Sequence, residues 1–276
     1  MSNIFKKVLK TEKNLLEDNT GALVKEVVGI VSINGVSAGR ARKEKLWTLR
    51  FELDEWRYLG EGLKNSKLNV MKKVTDEQLK DIQNTIKAET IVKIKLSIDY
   101  KSTGDRADAI FEEFVEEVSD DIELNECLEK LKEPITYEDS YFGTLTFDRM
   151  VNWYGRTIEW NDENISLSLL IDDREDINSS LEVAKVLFEN QLKWQGKVSD
   201  YAVEQLLSLK NEVWLQEGEE ELTADEFKSR MKLEAITVNP NGDFEFWHND
   251  GDLFWGHSIL VSGNLNRGFD FADIPG

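Results

Sequence analysis

Two hydrophobic periods alternate along this chain. From Ala22 to Ile33 it is rich in Val and Ile, and from Lys45 to Asp54 the apolar Leu46, Leu49, Phe51 and Leu53 alternate imperfectly with polar positions. That is the pattern of half-buried strands. Leu68 to Val74 is a third strand candidate, and Thr90 to Tyr100 is the clearest, with Val92, Ile94, Leu96 and Ile98 on one face and Lys93, Lys95 and Ser97 on the other. Helical spacing takes over in three places. Ile4, Phe5, Val8, Leu9, Leu15 and Leu16 mark an opening helix over Ser2 to Glu17. Thr75 and Gln78 form a capping box that starts a helix over Asp76 to Lys87. Ile110, Phe111, Phe114 and Val115 predict an acidic helical stretch over Asp108 to Lys132, closed by Pro134.

The second half reads as strands, then helices, then strands. Tyr141 to Phe147, Val151 to Asp162 and Ile165 to Ile171 are strand candidates. Helical patterns over 175–195 and 197–216 are expected to break at Gly196, and Thr223 caps a short helix ending near Arg230. Leu233 to Val238 and an aromatic hairpin complete the chain, with Asp250-Gly251 expected as the two-residue tip of that hairpin. The expected class is α+β: a small β-rich N-terminal domain over residues 1–102, barrel-like in its strand order, an acidic helical connector over 103–134, and an α+β domain over 135–276 whose antiparallel sheet is covered by helices.

Composition narrows the function. With 40% hydrophobic residues, eight Trp and thirteen Phe, the 276-residue chain has enough apolar surface to fold despite being 32% charged. One cysteine, Cys127, excludes an internal disulfide and a Cys-based metal site within one chain, which fits a reducing cytoplasm. No stretch approaches the length of a membrane span, so neither export nor membrane insertion is expected. The charge is uneven: residues 1–102 carry a net +6, residues 103–132 a net −8 and residues 133–276 a net −18. Such a C-terminal half repels nucleic acid and favours a protein partner with a basic surface.

Candidate chemistry concentrates in Asp243 to Gly263, which holds five aromatic residues and both histidines. A two-residue turn at Asp250-Gly251 would set His248 and His257 four residues apart along the strands, about 13 Å, too far for one metal ion to take both. No third ligand or nucleophile accompanies them, so each is expected to be a hydrogen-bonded or surface histidine. No catalytic residue, metal or cofactor is indicated by the sequence. The aromatic hairpin is either core between sheet and helices or a recognition surface of Trp247, Trp255 and His257, rimmed by Asp250 and Asp252, with His248 beside them. The carboxylate groups at Asp172-Asp173, Asp250 and Asp252, and Glu219 to Glu221 are expected in solvated loops. Gly35 to Gly39 with Arg40, Arg42, Lys43 and Lys45 is a weak match to an anion cradle, lacking the Gly-Lys-Ser/Thr ending of a phosphate loop. The N-terminal strand order is compatible with an oligonucleotide-binding-type barrel, with Lys93, Lys95 and Trp47 as its groove, although a fifth strand is not evident.

Several segments carry a resemblance to a known family. Phe142-Gly-Thr-Leu-Thr-Phe-Asp148, Trp153, Ile158-Glu-Trp160, Asn211 to Leu215, Met231 to Val238 and the ending F-W-H-N-D-G-D-L-F-W-G-H-S-I-L-V-S-G-N-L with Ala272 to Gly276 resemble the bacterial domain-of-unknown-function family 2262, over roughly residues 135–276. The resemblance implies a bacterial or phage protein and no particular activity; domains with a similar ending recur among suspected toxin-immunity proteins. The functional expectation is a non-enzymatic cytoplasmic protein-binding module, an acidic inhibitor or an immunity or anti-defence factor acting on a basic or nucleic-acid-binding partner. One alternative is a hydrolase or transferase using His257 with Asp250 or Asp252. Another is nucleic-acid binding by the N-terminal domain. The oligomeric state is left open.

Overall fold

A computed structural model describes residues 23–98, 106–171 and 177–276. The opening helix expected over Ser2 to Glu17 and the Asp172-Asp173 pair lie outside these residues. The chain divides into two compact units, Met1–Glu133 and Pro134–Gly276, so the division falls at the proline and leaves no separate connector.

The first unit runs β1 (Val24–Val31), β2 (Ser37–Gly39), β3 (Trp47–Tyr58), β4 (Lys67–Val74), α1 (Asp76–Thr85), β5 (Ile91–Ile98), β6 (Arg106–Glu117) and α2 (Ile122–Lys132). Strands β1, β5, β6, β4 and β3 pair in that order and β3 pairs back onto β1, closing a five-stranded barrel; β4 and β6 are parallel and the other neighbours antiparallel. Order and connectivity are those of an oligonucleotide-binding-type barrel. Closure bends β3 sharply: Asp54 and Glu55 bulge out between Trp56 and Leu53, which pair with Gly29 and Val31. A Cβ on Gly29 would lie 2.8 Å from both the Glu55 carbonyl oxygen and Trp56 Cβ, so the bend needs glycine there.

The fifth strand, β6, occupies the first part of the stretch expected to be helical, and only Ile122–Lys132 is helix. The reason is a pair of bulges. Leu96 pairs with Phe111 and Lys95 with Glu113, which skips Glu112; Ile94 pairs with Phe114 and Lys93 with Glu116, which skips Val115. Each skip reverses the facing of the residues beyond it. Phe111 and Phe114 therefore both join the barrel core while three residues apart, a spacing that mimics a helix.

Helix α2 packs on the outside of the barrel, where Leu124 and Leu128 cluster with Val28, Ile30 and Ile91. Its N-cap, Asp121, accepts the Leu124 N–H at 3.1 Å, and the Arg57 guanidinium on β3 spans the carboxylates of Asp121 and Glu123.

The second unit contains β7 (Thr136–Asp139), β8 (Gly143–Asp148), β9 (Trp153–Trp160), β10 (Glu163–Leu170), α3 (Asn178–Phe188), α4 (Gln191–Val213), α5 (Ala224–Arg230), β11 (Lys232–Val238), β12 (Asp243–Asn249), β13 (Ser258–Asn264) and β14 (Gly268–Asp273). The eight strands pair in chain order. The sheet is mixed rather than antiparallel, because β10 and β11 are parallel and the three helices form the crossover between them. The chain as a whole is β-rich, a five-stranded barrel followed by a second sheet. Helix α3 packs on β10 and β11, and α4 on β13 and β14. Trp160 meets Phe188 and Phe246 edge-on, and Tyr201 stacks on Phe269 at 4.8 Å. The helices separate at Asn190 (φ −133°, ψ 41°) and not at Gly196, which lies inside α4. The β9–β10 turn uses Asn161 and Asp162, both at positive φ, as a two-residue hairpin requires. Among the described residues no helix is long and apolar enough to cross a membrane.

Arg57→Ala leaves two carboxylates at the start of α2 without their cation. It is expected to cost about 1–3 kcal/mol and to raise amide exchange in 122–132 more than in the barrel strands; uniform loss of protection would show that the ion pairs do not seat the helix.

Candidate functional site

Strands β12 and β13 pair from Asp243↔Asn264 to Asn249↔Ser258, so the segment joining them is the eight residues 250–257 and not a two-residue turn. Three of these eight residues are buried. Asp250 is 1% exposed, and Leu253 and Phe254 are fully buried. A carboxylate withdrawn from water needs donors. Asp250 finds them in its own loop, accepting the N–H groups of Phe254 (2.6 Å), Gly256 (3.1 Å) and Asp252 (3.2 Å). It is the organiser of the loop, not a member of a solvated carboxylate pair.

The path around this carboxylate demands unusual backbone. Gly251 has φ +54°, and a Cβ there would lie 2.5 Å from the Arg230 carbonyl oxygen. Asp252 (φ 65°) and Trp255 (φ 58°) are also left-handed, a conformation that costs a bulky side chain on the order of 1–3 kcal/mol. The Trp255 indole lies outward, 60% exposed, and meets the Trp214 ring edge-on with the ring centroids 4.9 Å apart. Trp214 also meets Phe254 and His257 edge-on, each at 5.6 Å.

Trp214 is fixed from the other side. Its N–H closes α4 on the Lys210 carbonyl, and the wholly buried Lys210 ammonium donates to the Trp214 carbonyl (2.8 Å) and to Glu219 (2.7 Å). Glu219 accepts the Gln216 N–H as well and faces Arg230 at 3.5 Å. The Lys210 hydrogen bond, with that of Gln216, holds the Glu219 carboxyl below the usual carboxylate range. Glu219 is therefore a structural ligand of the buried lysine, whereas Glu217, Glu220 and Glu221 of the same loop are exposed. Asn211 pins Leu222 by accepting its N–H and donating to its carbonyl, both at 3.0 Å, and a complete Thr223/Glu226 capping box starts α5.

The six residues singled out in the sequence do not form one surface. Asp250, Asp252, Trp255 and His257 share the loop. Trp247 and His248 lie on β12, facing opposite sides of the sheet: Trp247 donates to Glu245 at 3.0 Å, and His248 is fully buried beside Ile259. Neither ring nitrogen of His248 has a well-formed hydrogen bond. Burial pushes its pKa down to about 4, against the opposing effect of the Ile259 and Phe246 backbone. His257 rests half-buried on Trp214, and no hydrogen bond joins it to Asp250 or Asp252 among the described residues. Sequence reading missed Lys210 and the organising role of Trp214. The signal available was the apolar run Val213-Trp214-Leu215 at a helix end.

The expected N-terminal groove is not an open basic surface. Lys95 is bridged to Glu113 at 2.7 Å, and Lys93 lies 3.4 Å from Glu116 and 3.7 Å from Glu26. Trp47 sits on a different strand, under Arg40 (4.4 Å to the ring centroid) and donating to Asp76.

Residues 139–274 match the model of the family described as uncharacterized protein conserved in bacteria (DUF2262), and residues 12–131 that of a domain of unknown function, DUF7021. The gap between the two matches contains the division at Pro134. No curated protein matches the chain.

This geometry has two measurable outcomes. Gly251→Ala adds a Cβ against the Arg230 backbone at a positive φ and is expected to cost about 2 kcal/mol or more in unfolding free energy; an unchanged urea midpoint would mean that the loop does not pack as described. His248 has a folded pKa below its unfolded one, so between pH 6.5 and about 4 the unfolded chain binds a proton that the folded chain refuses. Stability falls as pH drops through that window, by about 3 kcal/mol, and is unaffected by this group above it. The difference in unfolding free energy between wild type and His248→Leu should therefore change with pH across the window; parallel pH profiles would contradict the buried neutral histidine.

Proposed function

We propose that this protein, whose C-terminal half is a DUF2262 domain, is a non-enzymatic protein-binding module that engages its partner through the Trp255 loop. One observation carries the reading: an exposed tryptophan held at positive φ by a buried carboxylate. Backbone strain that persists at an exposed aromatic supports the reading of a contact site, since such strain clusters at functional positions. Tryptophan is the residue most enriched where binding energy concentrates. Exposed carboxylates accompany Trp255 in the chain, Asp252 on the loop itself and Glu217, Glu220 and Glu221 in the segment after Trp214. The net charge of residues 134–276 is −17, and such a field steers and orients a basic partner. A cytoplasmic inhibitor or immunity factor that covers a basic, nucleic-acid-binding surface is the class of protein that fits.

A second reading attaches to the barrel. Its strand order is that of folds that bind oligonucleotides, and the segment joining β1 to β3 carries exposed Arg40, Arg42, Lys43 and Lys45. Retention of the full chain on single-stranded DNA at low salt, lost in a variant with these four residues changed to Ser, would favour it.

The first reading is tested by capture from a bacterial lysate with wild-type protein, Trp255→Ala, and Glu217→Lys/Glu220→Lys/Glu221→Lys. A partner held through this loop should be retained by wild type, released by high salt, weakened in the charge variant and lost in Trp255→Ala, whose expected cost is about 2 kcal/mol or more. A partner captured equally by wild type and Trp255→Ala places the contact elsewhere and refutes the assignment to this loop.

A further inference from the structure

Helix α1 closes one side of the barrel without filling it. None of its residues is fully buried, and Leu79 and Ile82 are only partly covered although they face the core. Its position is nonetheless well determined. The Thr75/Gln78 capping box fixes its start, Asp76 accepts from Trp47, and the Gln83 amide donates to the Val36 carbonyl at 3.2 Å. Between this tethered helix and strands β4 and β6 lies a cavity of about 310 Å³, at the lower end of the range of small-molecule sites.

Its walls are Val74, Ile82, Ile86, Phe111 and Phe114. The two phenylalanines reach it because the bulge at Glu112 turns both toward the barrel interior. The lining also includes one ammonium and three carboxylates: Lys72, Asp81, Glu112 and Glu113. The ammonium is already committed, donating to the Glu112 carbonyl at 3.0 Å and lying 5.3 Å from the Phe111 ring centroid. Glu113 is bridged by Lys95, and Glu112 accepts the Ser97 hydroxyl. Asp81 is exposed and its carboxylate makes no hydrogen bond or ion pair among the described residues. An entering anion would meet three like charges and an occupied lysine. An entering cation meets a free carboxylate in a lining that also holds two aromatic rings, a combination that attracts organic ammonium groups.

We propose that the cavity between α1 and the barrel binds a small aromatic ammonium compound, its ring among Ile82, Ile86, Phe111 and Phe114 and its cation toward Asp81. This site lies in the first unit and is independent of the Trp255 loop. The test titrates the full chain with 2-phenylethylammonium and with phenylacetate, recording amide chemical shifts. The ammonium should bind saturably and about tenfold or more tighter than the carboxylate, with shifts centred on 74–86 and 111–114. Ile82→Trp, which fills the cavity, should abolish binding, and Asp81→Lys, a surface change, should reverse the preference between the two compounds. Absence of saturable binding, equal affinity for both compounds, or a preference unaltered in Asp81→Lys would each overturn the proposal.

Discussion

A parallel pair of strands cannot be joined by a tight turn, and that constraint organises the C-terminal unit. Because β10 and β11 run in the same direction, the chain must travel the length of the sheet between them, and it does so as three helices. Those helices determine which side of every strand becomes core: Phe244, Phe246 and His248 turn toward the packed interior, while Glu245 and Trp247 turn away. The return of the crossover also delivers the end of α4 and the whole of α5 to the β12–β13 loop. Trp214, Glu219 and Arg230 thereby reach the neighbourhood of residues 250–257 although they lie some way back in sequence.

At that meeting point two buried charges do opposite work. The Asp250 carboxylate gathers three N–H groups and shapes the loop from within. The Lys210 ammonium gathers a carbonyl and a carboxylate and fixes the segment after α4. Each is buried and neither could stay there without its partners. The outcome is a surface tryptophan whose position is set by groups the solvent does not reach.

Much of this was legible from residue patterns. The capping boxes at Thr75 and Thr223 announce helices that form where expected, and the alternation of β5 and the apolar run of β10 carry over directly into register. The matches to two families fall on the two units. What escaped did so for physical reasons. Asp250-Gly251 has the composition of a hairpin tip, but a carboxylate that looks forward to Phe254 and Gly256 opens the turn into a longer loop. Gly196 looks like a helix break, yet a glycine with free space around it simply continues the helix, and Asn190 interrupts it instead. The fifth barrel strand was hidden because its bulges replace a period of two by the spacing of a helix.

Strand β6 also bears on how this chain tolerates change in length. Glu112 and Val115 are each one residue in excess of the ladder, and each inverts the facing of the residues beyond it; together they cancel, so Ala109 and Phe111 before the pair share the parity of Glu117 after it. Deleting either residue would close its bulge and leave the pairs beyond it in place, with Glu113 still opposite Lys95 and Phe114 opposite Ile94, or Glu116 opposite Lys93. Strand β6 can thus lose one residue at each bulge without changing the facing of Phe111 or Phe114, a tolerance of length that a sequence comparison based on substitutions alone would pass over.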